Sequence, residues 1–338
     1  MTKSMFMIAV CAFVAVGCKG RAKSGEAREV VPYTSVDQVF AEPIFRAFEQ
    51  QSGIQARAVF DTEETKSTGV LNRLIAEAAQ PRADVFWSGD PVRPFLLIKR
   101  GLVEPYVSPA AAALADRFKA KDGAWTSIAA RARVLIVNKN RVPADAMPKS
   151  IKDLANPRWQ GQVTMANPLF GTTTMHVAAL FSVWGTDQAR AFLDELKRNK
   201  VRIASSNGEV KRLVAAGEMA FGLTDTDDAF EAKKGGAPVE MVYPDQDDLG
   251  TLVMPTTVVL IKGGPNPQAG RKLIDYLVSD TVEAAMSKSG AHMPLRPGVP
   301  APDGVRPMGE VKAMAVDYGS VGETMEKIQP WLREWVGL

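Results

Sequence analysis

Apolar runs of strand length alternate along most of the chain with segments that carry apolar residues on one helical face. In the first third, the runs that predict strands cover residues 30–35, 54–60 and 83–87. The segments that predict helices lie between them, at residues 43–51 and 69–79. Strand, helix and strand in this order predict parallel strands that are joined by right-handed crossovers.

The same alternation resumes after a polar stretch near residues 119–123. Further strands are predicted at residues 133–138, 162–165, 201–204, 219–223 and 256–261. Further helices are predicted from residue 171 onwards and at residues 187–197, 210–216 and 268–278. The chain therefore has the pattern of an α/β protein without internal repeats.

The N-terminus has the layout of a secretory signal peptide, in which Lys3 precedes an apolar run over residues 5–16. This run is shorter than the roughly 20 residues that a membrane-spanning helix needs. The run ends at Cys18, and residues 15–18 resemble a bacterial lipobox, although Ala15 stands where leucine is usual. We therefore predict lipidation of Cys18, and an ordinary cleaved secretion signal is the alternative.

These features predict a signal peptide over residues 1–17 and a polar, lipidated tether over residues 18–29. Cys11 leaves with the signal peptide, so Cys18 is the one thiol of the mature chain and no internal disulfide can form. The predicted location is the periplasm, with the lipid on Cys18 as the only contact with a membrane.

Composition adds little beyond a soluble globular class, with 46% hydrophobic and 23% charged residues. The 41 Lys and Arg residues nearly balance the 38 Asp and Glu residues, and they form no basic stripe interleaved with aromatic side chains. Nucleic acid is therefore an unexpected partner.

Small polar side chains follow the carboxyl ends of most predicted strands, which is where ligands bind in open α/β sheets. The candidates for ligand contacts at these ends are Thr34, Ser35, Ser88, Gly171, Thr172, Thr173, Asn207 and Asp225. Three further carboxylates, suited to a cation, are Asp37, Asp227 and Asp228. Together they predict a cleft for a polar ligand.

Two of these groups have chemistry of their own. Gly171, Thr172 and Thr173 open a helix, whose N–H groups suit an oxyanion, although simple capping is the alternative. Asp225, Asp227 and Asp228 crowd together and favour a bound cation or shifted pKa values, whereas a solvated acidic turn is the alternative.

Nothing in the chain predicts an enzyme. His176 and His292 are the only histidines, and no motif of a metalloprotease, serine hydrolase or nucleotide-binding enzyme is present in the sequence. A lipid-anchored phosphoryl hydrolase that uses the aspartates on a metal is the least favoured interpretation.

Several stretches resemble extracellular solute-binding proteins of the ferric-ion-binding type, the capture components of ABC importers. They are residues 45–54 (FRAFEQQSGI), 83–87 (ADVFW), 101–105 (GLVEP), 151–161 (IKDLANPRWQG) and 259–267 (VLIKGGPNP). The resemblance implies a two-lobed periplasmic-binding-protein fold of type II with a hinged cleft between the lobes. It also implies a monomer that serves a membrane permease and its ATPase.

On this resemblance, the hinge crossings lie near residues 131–138 and 252–257. Lobe 1 is expected at residues 30–130 plus 255–300 and lobe 2 at residues 131–254. Residues 301–338 are expected to form a helical segment that packs on the lobes.

The resemblance also bears on the ligand. The adjacent tyrosines of ferric-binding proteins fall on Asp227 and Asp228 here, and a histidine ligand falls near Asp37. The cup for a synergistic anion is retained at Gly171, Thr172, Thr173 and Asn207.

Two ligand classes follow. The first is ferric ion or a related hard metal, held by Asp37, Asp227 and Asp228 with a co-bound anion. The second is a phosphonate or phosphorylated organic solute, whose anion lies on the cup and whose ammonium lies on the aspartates. In both cases the metal or solute is transported, and no permanently bound cofactor is expected.

The lipobox gives the first testable prediction. Cys18→Ser should move the protein from the membrane fraction to the soluble fraction, because it removes the lipidated thiol. Cell fractionation followed by immunoblotting measures this, and a thermal melt of the purified variant checks that the fold is unaltered. Unchanged membrane association would rule out Cys18 as the anchor.

Overall fold

The computed structural model describes residues 29–61, 68–290 and 292–338. The predicted signal peptide, Cys18 and the tether up to residue 28 lie outside the described residues. Within the described ranges, no helix is both long enough and apolar enough to cross a membrane.

The described residues form an α/β structure. The strands are β1 (Glu29–Val30), β2 (Pro32–Thr34), β3 (Gln55–Ala56), β4 (Val59–Phe60), β5 (Val85–Ser88), β6 (Val103–Glu104), β7 (Thr126–Asn138), β8 (Val163–Ala166), β9 (Arg202–Ala204), β10 (Phe221–Asp225), β11 (Val239–Val242) and β12 (Val253–Ile261). The helices are α1 (Gln38–Ser52), α2 (Thr68–Ala76), α3 (Val92–Lys99), α4 (Gly171–Trp184), α5 (Thr186–Arg198), α6 (Asn207–Ala215), α7 (Thr226–Lys234), α8 (Pro267–Leu277), α9 (Asp280–Gly290) and α10 (Tyr318–Val336).

One mixed sheet runs through the molecule in the strand order β4-β2-β5-β12-β7-β10-β8-β9. Pairs such as β2 with β5 and β8 with β10 are parallel, as the alternation of strands and helices predicts. The long strands β7 and β12 are antiparallel to each other and lie at the centre of this order.

Strand β7 belongs to both halves of the sheet. Its first part pairs with β12, as far as Ala132 opposite Val253. Its second part pairs with β10, beginning at Arg133 opposite Asp225. The change of partner between Ala132 and Arg133 joins the two halves through one continuous strand.

The C-terminal helix α10 covers the outside of the sheet by packing on α3 and α4. Val321 and Leu332 of α10 are fully buried, and Trp331 meets the ring of Phe181 on α4 at a centroid distance of 5.6 Å. Most of α4 is buried, from Thr172 through Phe181, because α10 covers the face that would otherwise meet solvent.

The structure corrects some predicted elements. The helix predicted over residues 43–51 begins at Gln38, and Pro43 lies inside it, because burial of Ala41 and Phe45 outweighs the one backbone hydrogen bond that proline removes. The strand predicted over residues 54–60 is interrupted and forms β3 and β4. The acidic segment after β10 is the first turn of α7 rather than a loop.

The lobe boundaries at residues 130/131, 254/255 and 300/301 stay a prediction. The two halves of the sheet meet at β7, which pairs with β12 in its first part and with β10 in its second part.

Gly222 gives a prediction about packing in the second half of the sheet. A Cβ at this position would lie 2.7 Å from the Thr164 and Val210 side chains and 2.8 Å from the Thr164 carbonyl oxygen. Gly222→Ala should therefore lower the free energy of unfolding by about 1–3 kcal/mol. Gly309→Ala is the control, because no atom lies within 4 Å of its added Cβ. Urea denaturation of both variants tests this, and equal stability would contradict it.

Candidate functional site

A cavity of about 520 Å³ opens at the carboxyl ends of β2, β8, β9 and β10. This is where ligands bind in α/β sheets, and its volume lies within the usual range of small-molecule sites. The N-terminal ends of α1, α4, α6 and α7 all contribute to its wall.

The floor of the cavity is organised by two arginines on β7. Arg131 and Arg133 are two residues apart, so they point to the same face of the strand. Arg133 lies opposite Asp225 in the β7–β10 ladder, and this register places opposite charges side by side. Their positions flank the point at which β7 changes partner.

The Asp225 carboxylate receives hydrogen bonds from several directions. Both arginines donate to it: Arg133 through a short Nη1 contact, and Arg131 Nη1 at 3.1 Å. The Thr172 hydroxyl lies 3.0 and 3.1 Å from its two oxygens, and the Asn207 amide lies 3.3 Å away. Burial would raise the pKa of Asp225, but Arg133 and Arg131 lower it.

Arg133 is fully buried and makes further contacts within this group. It donates to the Thr172 hydroxyl at 3.0 Å, the Thr173 hydroxyl at 3.2 Å and the Asn207 side-chain oxygen at 3.1 Å. The side chains that were predicted to hold an external anion are thus bonded to protein groups. We call Arg131, Arg133, Thr172, Asn207 and Asp225 the arginine–aspartate cluster.

Arg131 connects the two halves of the sheet. Its Nη2 donates to the Gly89 carbonyl at 2.9 Å, after β5, and its Nη1 also lies 3.2 Å from Asp227 on α7. Burial would lower the pKa of Arg131, but attraction to Asp227, Asp225 and Asp37 raises it.

Asp228 lies beside this cluster and is bonded differently. It accepts a hydrogen bond from the Thr224 hydroxyl at 3.0 Å, and Lys211 lies 3.6 Å from it. Burial, together with repulsion from Asp227 and Asp225, raises the pKa of Asp228 to about 7. This carboxylate therefore carries only part of its charge at neutral pH.

Helix α4 begins at the cavity with an unusual N-terminus. Phe170 stands at the N-cap, has no acceptor in its side chain and makes no cap hydrogen bond among the described residues. The first N–H groups of a helix have no partner within it. The N–H groups of Gly171, Thr172 and Thr173 therefore suit a negatively charged group in the cavity.

Helix α7 also lacks a side-chain cap bond among the described residues, for a different reason. Its N-cap is Asp225, whose carboxylate is held by the two arginines instead. Asp227 and Asp228 lie in its first turn, where negative charge complements the helix dipole.

Most of the predicted site residues meet at the cavity. Its wall includes Ser35, Asp37, Gly171, Thr172, Thr173, Asn207, Asp225, Asp227 and Asp228. Thr34 and Ser88 are not part of that wall. Both are fully buried, the Thr34 hydroxyl donates to the Trp87 carbonyl, and Ser88 accepts from the Asp90 N–H.

Arg131, Arg133 and Lys211 contact the site carboxylates but were not among the residues predicted from the sequence. Residues 128–137 are otherwise apolar, and Arg131 and Arg133 interrupt that run. A charge on a buried strand needs a partner. The two arginines in this apolar strand therefore indicate that the strand passes close to carboxylates.

The carboxylates could also hold a cation. Asp225, Asp227 and Asp228 each offer an oxygen, and these oxygens lie within 4.8 Å of one another. Such an oxygen set suits a hard metal ion. However, Asp225 and Asp227 are already paired with guanidinium groups, which a metal would have to displace.

Comparisons with known proteins point to one family. The model of the family described as bacterial extracellular solute-binding protein matches residues 80–314. The chain is 25% identical over 311 residues to "Iron uptake protein A1" of Synechocystis, covering 89% of this chain and 85% of that protein. It is 24% identical over 296 residues to "Putative 2-aminoethylphosphonate-binding periplasmic protein" of Salmonella typhimurium, covering 86% and 81%.

Among solved structures, iron-bound HitA from Pseudomonas aeruginosa aligns with a TM-score of 0.82 and 24% identity. The alignment covers 92% of this chain and 99% of that protein. The likeness extends over both halves of the sheet and shows a common fold.

The environment of Asp228 gives a prediction for stability against pH. The folded protein keeps the proton on Asp228 up to about pH 7, whereas an unfolded aspartate loses it near pH 4. The free energy of unfolding therefore falls as the pH rises from about 4 to about 7. Asp228→Asn should stabilise the protein by about 1–2 kcal/mol at pH 8 and have little effect at pH 4.

Urea denaturation at both pH values measures this. Glu231→Gln is the matched control, because Glu231 also contacts Lys211 but is exposed. A gain for Asp228→Asn that is equal at both pH values would contradict a raised pKa.

Proposed function

We propose that this chain, which belongs to the bacterial extracellular solute-binding protein family, captures a small organic solute for an ABC importer. The solute carries both a negatively charged group, such as a phosphonate or phosphate, and a positively charged one. The protein delivers it to a membrane permease and its ATPase, acts as a monomer without catalysis, and is held at the membrane through a lipid on Cys18.

The observation that carries the proposal is the N-terminus of α4 at the cavity. The side chains of Thr172 and Asn207 are occupied by Asp225, so we assign the anionic group of the solute to the first backbone N–H groups of α4. Arg131 lies on the same wall, where Asp225 and Asp227 balance its charge. A helix N-terminus whose first N–H groups have no partner within the helix favours an oxyanion.

The positive group of the solute would lie on the acidic side of the cavity. Asp37, Asp227 and Asp228 line this side. Burial and repulsion from neighbouring carboxylates raise the pKa of Asp228 to about 7. A cation beside it would restore its full charge and be attracted to it, because the two groups stabilise each other's charged forms.

An organic solute fits the cavity better than a metal alone for two reasons. The cavity of about 520 Å³ is far larger than a single ion needs. Its rim also includes Val39 and Phe170, which are 71% and 61% exposed. Apolar side chains at the rim can pack on the carbon part of a solute and gain nothing from a bare ion.

Ferric ion with a co-bound anion is the second candidate, and the oxygens of Asp225, Asp227 and Asp228 favour it. The relative of Synechocystis named for iron uptake supports the same candidate. It requires Arg131 to give up its contacts with Asp225 and Asp227. For that reason we place the organic solute first.

A comparison of two phosphonates tests the proposal by calorimetry at pH 8. The wild-type protein should bind 2-aminoethylphosphonate more tightly than ethylphosphonate, which lacks the ammonium. Asp228→Asn should weaken the first by about 1.5–3 kcal/mol, because a charged hydrogen bond is lost, and should affect the second far less. Glu240→Gln is the control, because this carboxylate pairs with Lys233 and is not part of the cavity wall, and it should change neither affinity by more than about 1 kcal/mol.

Chelation separates the two candidates. Binding of the aminophosphonate should survive dialysis against a chelator, whereas a ferric complex should be stripped and should return with ferric citrate. If only ferric citrate binds, and the chelator removes it, the metal candidate replaces the organic one.

A further inference from the structure

We infer that Asp225 is a built-in anion: its carboxylate fills an oxyanion-binding cup, so no separate anion binds in that cup. The cup consists of Arg131, Arg133, Thr172 and Asn207, the cluster members that donate to Asp225. This inference holds whichever solute binds, because it concerns the floor of the cleft.

The geometry of the cup is that of a receptor for a free oxyanion. Two guanidinium groups, a hydroxyl and a carboxamide converge on one carboxylate, three of them at 3.0–3.3 Å. Guanidinium groups bind carboxylates and phosphates strongly, and hydroxyl and amide donors complete the shell. Asp225 is only 2% exposed, so its carboxylate is enclosed by these donors.

Charge balance requires an anion at this position. Arg133 is fully buried, and its charge is matched by Asp225. Arg131 shares Asp225 and also contacts Asp227. Without the Asp225 carboxylate, two adjacent guanidinium groups would face each other in a buried site, and a buried unpaired charge is costly.

The resemblance led us to expect an external anion on Thr172, Thr173 and Asn207. In the structure, the Thr172 and Asn207 side chains bond to Asp225 and Arg133, and Thr173 donates no hydrogen bond to the cup but accepts one from Arg133. A covalently attached carboxylate has a far higher effective concentration than a free anion in solution. It therefore keeps the cup filled at any concentration of external anion.

Chemical rescue tests the inference. Asp225→Ala removes the carboxylate and leaves a space that formate can enter. We expect a lower Tm for this variant and a saturable rise in Tm with formate, on the order of 3 °C at saturation. Wild type should show a clearly smaller rise over the same series, because its cup is filled and formate can bind only at the α4 N-terminus, with chloride at equal ionic strength as the reference in both.

Asp84→Ala is the matched control. Asp84 is also fully buried, but it accepts from the Val31 N–H and the Asn266 side chain rather than from an arginine. Formate should therefore not rescue it. Rescue of both variants to the same extent, or of neither, would overturn the inference.

A second measurement covers the case in which Asp225→Ala does not fold. If formate stabilises the wild-type protein and Thr172→Val removes that effect, the cup is open in the native protein and the inference fails. If formate leaves wild type unchanged, or stabilises Thr172→Val as much as wild type through the α4 N–H groups, the cup is closed by Asp225, as inferred. Neither measurement uses the solute, so failure here is distinct from failure of the phosphonate titration.

Discussion

The pairing of Arg133 with Asp225 is the interaction on which the rest of the site depends. The two residues face each other across β7 and β10, both are buried, and each has further partners in the cluster. Removing one partner of such a pair costs about 3–5 kcal/mol, because the other charge is left buried. The pair therefore fixes the position of β10 against β7, and through Thr172 and Asn207 it fixes the starts of α4 and α6.

Arg131 extends this constraint to the other half of the sheet. It holds the Gly89 carbonyl after β5 with one nitrogen and the carboxylates of Asp225 and Asp227 with the other. A single guanidinium thus touches both sides of the cleft beside the point at which β7 changes partner. Because these hydrogen bonds are directional, relative movement of the two sides would have to break or rearrange the contacts of Arg131, in the floor of the cavity.

The α/β fold could be predicted from the sequence, because the hydrophobic periodicity and the succession of strands and helices can be read locally along the chain. The type II periplasmic-binding-protein class followed from the resemblance to a known family. The site could be predicted only in part. The small polar residues after β8 and β10 do meet at the cavity, as the strand-end rule requires. Their partners were not predictable from motifs, because Arg131 and Arg133 lie inside a buried strand, and the pairing of Arg133 with Asp225 depends on a register across 92 residues.

The register that pairs Arg133 with Asp225 also explains how the same fold can bind solutes of different charge. With Asp225 neutralised by the arginines, the net charge that a ligand meets is set by the next layer, which contains Asp37, Asp227 and Asp228. At the positions of Asp227 and Asp228, the resemblance places the tyrosines of ferric-binding proteins, whose phenolates suit a trivalent ion. Carboxylates at these positions, one paired with Arg131 and one with a pKa near 7, offer a weaker and adjustable negative charge. Under the proposed function, such a layer would match a single ammonium better than three positive charges, and the α4 N-terminus would take the anionic group of the same molecule.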